Sequence, residues 1–267
     1  LDADNPSNGV LIPCLMTFDS THMLFFAGSG GYKTTSNVVP TALRYTGPII
    51  CLDPSTEVAP MVIEHRRNKL RRDVMVLDPT NPVLGFNELD GIENSTKKEE
   101  DIVGIAHMLL SESVRFESST GSFFQNQAHN LLTGLLAHVM LSPEFISRRN
   151  LRSLRLIVSG PETSVLAMLR DVQENSDSAF IRETLGVFVN MTEQTFSGVY
   201  STASKDTQWL SLDNYAALVC GDSFKSADIA TGKKDVFLNI PASILRSYPG
   251  IGRVIIGSLL NAMIKAD

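Results

Sequence analysis

A glycine-rich loop near the start of the chain lies between a short apolar run and a predicted helix. The run occupies residues 23–26 and is a predicted strand, and the loop at residues 27–35 reads Ala-Gly-Ser-Gly-Gly-Tyr-Lys-Thr-Thr. Between a strand and a helix, such a loop can surround phosphates with backbone N–H groups, while its lysine neutralises them and a hydroxyl binds Mg²⁺. The helix also points its positive end at the same phosphates. The sequence therefore predicts a nucleotide site for ATP or GTP on an α/β fold.

The loop departs from the standard pattern, in which glycines stand six residues and one residue before the lysine. These positions hold Ala27 and Tyr32 here. Three intervening glycines still give the backbone the freedom that a phosphate site needs. Tyr32 is expected to fit only if the backbone there avoids positive φ. A plain glycine turn with an incidental lysine remains the alternative.

Composition narrows the class of protein. The chain has 267 residues and a net charge of −6, which argues against a surface built to coat duplex DNA. No apolar stretch reaches the roughly 20 residues of a membrane span, and no signal peptide is recognised. Cys14, Cys51 and Cys220 are scattered, which favours a reducing compartment. Because the chain begins with Leu, we expect it to be a portion of a longer protein.

The first third alternates between apolar runs and helical patterns. Runs at residues 49–52 and 74–77 end in Asp53 and Asp78, each followed by Pro, and a helix is predicted over residues 58–71. A helix is also predicted from about Thr34, interrupted by Pro40. Short apolar strands that alternate with helices predict a mostly parallel sheet with helices on both faces. Ligands bind beyond the carboxyl ends of such strands, where both aspartates fall.

Helical spacing of apolar residues dominates the middle of the chain, without the alternation of strands. We therefore predict a nucleotide-binding domain in two parts, residues 1–88 and 196–267, with an all-α insertion domain at residues 89–195. In the second part, residues 236–240 form a predicted strand, and residues 215–220 fit a strand or a buried segment. A last helix follows.

Two clusters of basic residues could each be either a solvent-exposed helix face or a binding surface. The first contains His65, Arg66, Arg67, Lys69, Arg71 and Arg72, and the second Arg148, Arg149, Arg152 and Arg155. Either cluster could face an anionic partner such as DNA or lipid, but a solvated helix face is the commoner explanation.

Five stretches, in this order, resemble the coupling proteins of conjugation and type IV secretion, especially their TraG-like branch. They are the loop with Val38-Val39-Pro40-Thr41, Leu52-Asp53-Pro54-Ser55-Thr56-Glu57, residues 76–79 with Gly85-Phe86-Asn87 and Leu89-Asp90, residues 127–135 (Gln-Ala-His-Asn-Leu-Leu-Thr-Gly-Leu), and Phe237-Leu238-Asn239-Ile240-Pro241.

The resemblance implies a RecA-like P-loop ATPase core that uses ATP and Mg²⁺. Lys33 and Thr34 would be its catalytic residues, with Thr34 as the Mg²⁺ ligand. The predicted nucleotide-binding residues are Gly28, Ser29, Gly30, Gly31, Tyr32, Lys33, Thr34 and Thr35. Asp53 and Glu57 are secondary candidates beside the site.

The resemblance also implies a setting. The full-length protein would form a homo-hexamer at the cytoplasmic face of the bacterial inner membrane, anchored by a segment outside this chain. It would recruit a relaxase–DNA complex to a type IV secretion channel and drive its transfer. The family's Walker B strand would begin where this chain stops, so we expect weak hydrolysis by these residues alone. The alternatives are a recruitment module with a structural or regulatory P-loop and, more remotely, an unrelated P-loop kinase.

Overall fold

A computed structural model describes residues 22–28, 30–110 and 119–266 of the chain. In these ranges a small parallel sheet has three strands: β1 (Ile50–Leu52), β2 (Asp73–Leu77) and β3 (Lys234–Leu238). The strand order is β1-β3-β2, and Leu238 aligns with Leu52 on one side and Leu77 on the other. The carboxyl ends of the strands therefore lie at one level. The predicted α/β class with a parallel sheet is confirmed.

Both faces of the sheet are covered, as the apolar runs in its strands predict. On one face, Val74 and Phe237 pack against Ala42, Val58 and Val62, which belong to the helices beside the glycine loop. On the other face, a much larger core includes Leu77, Val236 and Leu238. Neighbouring residues of β3 thus point to opposite faces, so the central strand is buried from both sides.

Helices make up most of the described chain. They are α1 (Val39–Arg44), α2 (Val58–Asn68), α3 (Asp90–Glu93), α4 (Lys98–Leu109), α5 (Ser119–Leu141), α6 (Leu151–Val158), α7 (Glu162–Asn175), α8 (Ala179–Val189), α9 (Glu193–Asp206), α10 (Asp213–Val219), α11 (Ala227–Ala230), α12 (Ala242–Ser247) and α13 (Gly250–Ile264). Two short 3₁₀ helices, Pro143–Phe145 and Gln208–Ser211, join them.

In its described part, the long connection from β2 to β3 is built mainly of helices joined by turns, as the spacing predicts. Its apolar residues belong to the same core as one face of the sheet, so an independent all-α domain with bounds 89–195 remains a prediction. Of the two structures predicted for residues 215–220, the structure has the buried segment and not the strand. Most of the segment lies in α10, and Cys220 forms a single antiparallel bridge with Asn87.

The apolar run before the glycine loop is not a strand, contrary to the prediction. Residues 22–28 have no regular secondary structure, and Leu24 and Phe26 are 78% and 87% exposed. A strand requires a neighbour with which to exchange backbone hydrogen bonds. In the described sheet β3 is occupied on both sides, and no strand lies beside this run. A RecA-like arrangement, with the loop following a sheet strand, remains a prediction.

The helix after the loop changes its hydrogen bonding at Pro40 and continues. It begins as a π-helix, Thr34–Val38, in which the N–H of Val39 donates to the carbonyl of Thr34, and it proceeds as α1 to Arg44. Proline cannot donate a backbone hydrogen bond, and its ring crowds the carbonyl four residues earlier. The wider turn before Pro40 accommodates the ring, so the predicted interruption is a change of helix type.

A buried ionic cluster lies at the amino ends of the strands. It changes the interpretation of the first basic cluster, which contributes two of its arginines to it. Arg66 and Asp235 are fully buried, with Arg66 Nε 2.5 Å from Asp235 Oδ2. Arg66 also donates to the carbonyls of Ala42, Tyr45 and Gly47, while Arg72 Nε donates to Asp235 Oδ1 at 3.1 Å. Arg66 and Arg72 are therefore structural ion-pair residues and not part of a solvated or binding face.

Three members of the second basic cluster also hold helices together. The buried Arg155 donates to Ser211 Oγ and to the carbonyl of Ser204, both at 2.7 Å. Arg152 pairs with Asp213 at 3.2 Å, and Arg149 lies 3.5 Å from Glu93. These arginines connect α6 to its neighbours, and their charges are largely satisfied within the chain.

Candidate functional site

The glycine loop closes around its own lysine. Gly31 N donates to the carbonyl of Gly28 at 3.1 Å, which makes a tight turn. Lys33 Nζ donates to the carbonyls of Ala27 and Gly28 at 2.7 and 2.8 Å. These two bonds hold the ammonium group against the loop that precedes the helix.

Tyr32 has φ +53°, so the expectation that this position avoids positive φ is wrong. Gly30 is also left-handed, at φ +72°. The left-handed conformation costs a residue with a Cβ roughly 1–2 kcal/mol, which explains why glycine is the usual choice. The Tyr32 ring is 76% exposed, so little packing offsets that cost. Within the loop, the backbone takes the turn that a glycine would take despite the substituted side chain.

The loop leads directly into the positive end of a helix. Lys33 is the residue before the π-helix, and Ser36 N donates to the carbonyl of Tyr32 at 2.8 Å. The first N–H groups of a helix have no partner within it, so they are available to an anion. Thr35 Oγ1 donates to the carbonyl of Tyr32 at 3.3 Å. Lys33, Thr34 and Thr35 are thus brought together at this helix start; Ser29 lies outside the described residues.

The space beside two of the loop glycines is open. A Cβ built on Gly28 or Gly30 would meet nothing within 4 Å, whereas one on Gly31 would lie 2.8 Å from the Ala27 Cβ. The absence of a side chain at Gly31 therefore allows the loop to close, and the space beside Gly28 and Gly30 is open. The ammonium group of Lys33, the N–H groups at the helix start and the Thr34 hydroxyl are groups of the kind that can bind phosphate and Mg²⁺.

Asp53 follows β1, but its carboxylate serves the next helix. It is 2% exposed, and Oδ2 accepts the N–H groups of Val58 and Ala59 at 2.8 and 3.2 Å. Both bonds satisfy donors at the start of α2, where a carboxylate is also favoured by the helix dipole. Asp78 similarly accepts Thr80 N at 2.8 Å within its own turn. Glu57 is exposed immediately before α2.

Asn239 is a candidate that the sequence reasoning missed as a site residue. It follows β3, and its N–H donates to the carbonyl of Leu77 while Asp53 N donates to that of Leu238, both at 2.9 Å. Its side chain therefore belongs to the same carboxyl edge as Asp53 and Asp78. Asn239 is only 7% exposed, and Oδ1 lacks a hydrogen-bond partner. Its position directly after the apolar run was the available signal, as it was for the two aspartates.

A cavity of about 380 Å³ opens between the ends of α5, α7 and α8. His138 lies in its wall, with Nδ1 2.8 Å from Ser142 Oγ and Nε2 2.8 Å from Glu144. Burial lowers the pKa of His138 and outweighs Glu144 and Asp171, which raise it. The imidazole is therefore favoured in its neutral form despite its acidic neighbours.

The described residues hold no cluster of three or more His, Cys, Asp or Glu side chains that could bind a metal. Burial raises the pKa of the Cys51 and Cys220 thiols to about 11, with Asp53 adding to the effect at Cys51 and Glu88 at Cys220. Both thiols are therefore poor nucleophiles at neutral pH. Among the helices described, none is both long and apolar enough to cross a membrane.

Comparison with known proteins gives a consistent family. The family profile described as "Type IV secretory system Conjugative DNA transfer" matches residues 7–267. The chain is 60% identical over 258 residues to the type IV secretion system-coupling protein VirD4 of Bartonella henselae, which covers 94% of this chain and 40% of that protein. It is 48% identical over 249 residues to the conjugal transfer protein TraG of Rhizobium radiobacter, covering 92% of this chain and 39% of that protein. The chain thus spans about 40% of the length of these relatives.

Proposed function

The chain belongs to the type IV secretory system conjugative DNA transfer family, and from this premise we propose that it forms the nucleotide-binding region of a coupling ATPase. The observation that carries the proposal is the glycine loop closed around Lys33 at a helix start. The resemblance seen in the sequence predicts this family, and the family match confirms it. A RecA-like core at residues 1–88 and 196–267, with an all-α domain at 89–195, belongs to the same proposal.

The loop residues have distinct roles toward ATP and Mg²⁺. Lys33 would exchange its bonds to the Ala27 and Gly28 carbonyls for the β- and γ-phosphates. The N–H groups of Gly30 and Tyr32 would line the phosphate chain, joined by that of Gly31 once it exchanges its bond to the Gly28 carbonyl. Thr35 would meet the α-phosphate. Thr34 would hold the Mg²⁺ ion, which neutralises phosphate charge when bound.

Lys33 and Thr34 contribute to hydrolysis by placing positive charge beside the phosphates: Lys33 through its ammonium group and Thr34 through the Mg²⁺ ion that it would hold. Two hydrogen bonds order the Lys33 side chain before phosphates arrive, so part of the entropy cost of ordering it is met in advance. Asn239 is placed at the carboxyl edge of the sheet, where its unpartnered Oδ1 can accept a hydrogen bond from water or a hydroxyl. Asp53 remains a capping residue in this mechanism.

The wider role concerns the full-length protein. We infer that it acts as a homo-hexamer at the cytoplasmic face of the bacterial inner membrane. There it would deliver a relaxase–DNA complex to the type IV secretion channel. The relatives, which are a coupling protein and conjugal transfer proteins, support this role.

The test is calorimetric titration of the protein with a non-hydrolysable ATP analogue, with and without Mg²⁺. We expect Mg²⁺-dependent binding that weakens about 10- to 100-fold in Lys33→Ala, the loss expected for hydrogen bonds to a charged group. Lys69→Ala, which changes an exposed lysine just after α2, should bind normally. Equal affinity in the wild type and Lys33→Ala would refute the assigned site.

A recruitment module with a structural or regulatory P-loop is the second candidate. It is favoured by Tyr32, whose substituted side chain carries the left-handed backbone at the last loop position. The same titration distinguishes the two functions, because a module of this kind shows no Mg²⁺-dependent binding of the analogue in the wild type.

A further inference from the structure

A small cavity lies far from the glycine loop in sequence, between the segment that follows β2 and the last helix. Its volume is about 40 Å³, room for a small ion with one or two waters. The polar residues that line it are Glu88, Asp101, Ser226, Ser258, Asn261 and Lys265. Gly91 and Ala262 also line it and leave the space open through their small size.

Glu88 is the unusual group in this cavity. It is 2% exposed, and neither carboxylate oxygen has a hydrogen-bond partner. The Ser258 hydroxyl, 6% exposed at the residue level, is also without a partner. Buried polar groups are nearly always satisfied, and an isolated buried carboxylate is very costly. A carboxylate and a hydroxyl that both face a cavity therefore point to an occupant with positive charge.

The surroundings supply no cation to Glu88 among the described residues. Lys265 is paired with Asp101, with Nζ 2.5 Å from Oδ2. Asp90 adds a second negative charge nearby, although its own carboxylate accepts hydrogen bonds from Ser226 N and Oγ. Burial raises the pKa of Glu88 well above its usual value, Ser258 lowers it and Asp90 raises it further. Ser258 therefore lies close enough to the carboxyl group to favour its charged form.

We propose that this cavity binds one singly charged alkali cation, held by the Glu88 carboxylate together with the Ser258 hydroxyl and the Asn261 amide oxygen. Oxygen atoms are the ligands that hard cations prefer. A single charge matches the one unpaired carboxylate, and no cluster of three ionisable ligands is present in the described chain to hold a divalent or transition metal.

The cation would connect two parts of the molecule that are distant in sequence. Glu88 stands where the chain leaves the sheet for the helices, and Ser258 and Asn261 stand on α13. A bound ion would therefore stabilise the attachment of α13 to that junction. This role is independent of the glycine loop and of nucleotide.

The test compares melting temperatures in KCl, in NaCl and in choline chloride at equal ionic strength, without nucleotide. We expect the wild type to melt about 2–4 °C higher in an alkali chloride than in choline chloride, since choline is too large for the cavity. The difference should vanish in Glu88→Gln, which keeps the shape and removes the charge. Glu99→Gln, an exposed change on α4, should retain it.

Sodium-23 NMR relaxation detects cation binding directly, without reference to the stability of the protein. The transverse relaxation of ²³Na should be enhanced by the wild type, reversed by added K⁺, and reduced in Ser258→Ala, which removes one oxygen. An equal melting temperature in all three salts, or an alkali effect that persists in Glu88→Gln, would overturn the site. If Glu88→Gln does not fold, unchanged ²³Na relaxation in Ser258→Ala would overturn it instead.

Discussion

Tyr32 shows how one residue can depart from a motif while the backbone keeps the motif's shape. The turn before Lys33 is left-handed, and the loop adopts it with a tyrosine. Sequence reasoning assumed that the side chain would dictate the backbone. The closing contacts dominate instead: the bond from Gly31 to Gly28 and the two bonds of Lys33 fix the path on both sides of Tyr32.

Tyr32→Gly should therefore stabilise the protein. Glycine adopts positive φ without the Cβ penalty, and its greater freedom in the unfolded chain offsets part of the gain, which leaves about 0.5–1 kcal/mol. Urea unfolding followed by circular dichroism measures the change. Tyr45→Gly is the matched control, because Tyr45 has φ −69° and the same replacement there should destabilise. A loss of stability in Tyr32→Gly would show that the exposed ring contributes more than the strained backbone costs.

At the scale of elements, apolar runs in the sequence correctly predict those strands that are packed on both faces. The strands at residues 50–52, 73–77 and 234–238 and helix α2 follow directly from apolar runs and helical spacing. Residues 23–26 carry the same signal but have no neighbour, because pairing is a property of the sheet and not of the segment. Residues 215–220 were ambiguous because short apolar runs fit a strand or a buried helix equally well.

Element ends also decide which polar residues are free to act at a site. Both aspartates after strands were predictable as residues at the carboxyl edge, but the structure shows them occupied by local hydrogen bonds. Asn239, whose Oδ1 lacks a partner at that edge, is uncharged and was therefore not singled out in the sequence. It matters because β3, which it follows, lies between β1 and β2, and the sequence alone does not reveal this strand order.

Asp53→Ala should destabilise the protein by about 1–2 kcal/mol because α2 loses acceptors for two buried N–H groups. Asp78→Ala, at the equivalent position after β2, should cost less, since its partners Thr80 N and Oγ1 are in an exposed turn. Thermal unfolding of both variants checks the order. If Asp53→Ala keeps full stability but loses ATP hydrolysis, its carboxylate acts in catalysis and not as a cap.

For the whole molecule, the buried ionic cluster joins an early part of the chain to a late one. Asp235 connects β3 with Arg66 on α2 and with Arg72, which lies 163 positions earlier. These arginines look like members of a solvated basic run in the sequence. Their burial could not be predicted, because it depends on a carboxylate that is distant in the chain and reaches them only when β3 enters the sheet.

Asp235→Asn should lower the free energy of unfolding by about 3–5 kcal/mol, because it leaves Arg66 buried without its counter-charge. Asp73→Asn is the control in the same sheet. Asp73 pairs with Lys234 at 2.5 Å but is 55% exposed, so its loss should cost less than about 1 kcal/mol. Denaturant unfolding distinguishes the two. Similar small losses in both variants would mean that the hydrogen bonds of Arg66 to carbonyls suffice to compensate its charge.

The order of the strands has a consequence for biosynthesis. The central strand is the last of the three to leave the ribosome, so β1 and β2 emerge early and have no partner until the whole helical connection has been translated. Closing so long a stretch of chain is slow, and unpaired strand edges are prone to aggregate while they wait. The nascent polypeptide would therefore need shielding during this interval, and a pause in translation within the helical connection should lower the yield of native protein more than one after residue 238.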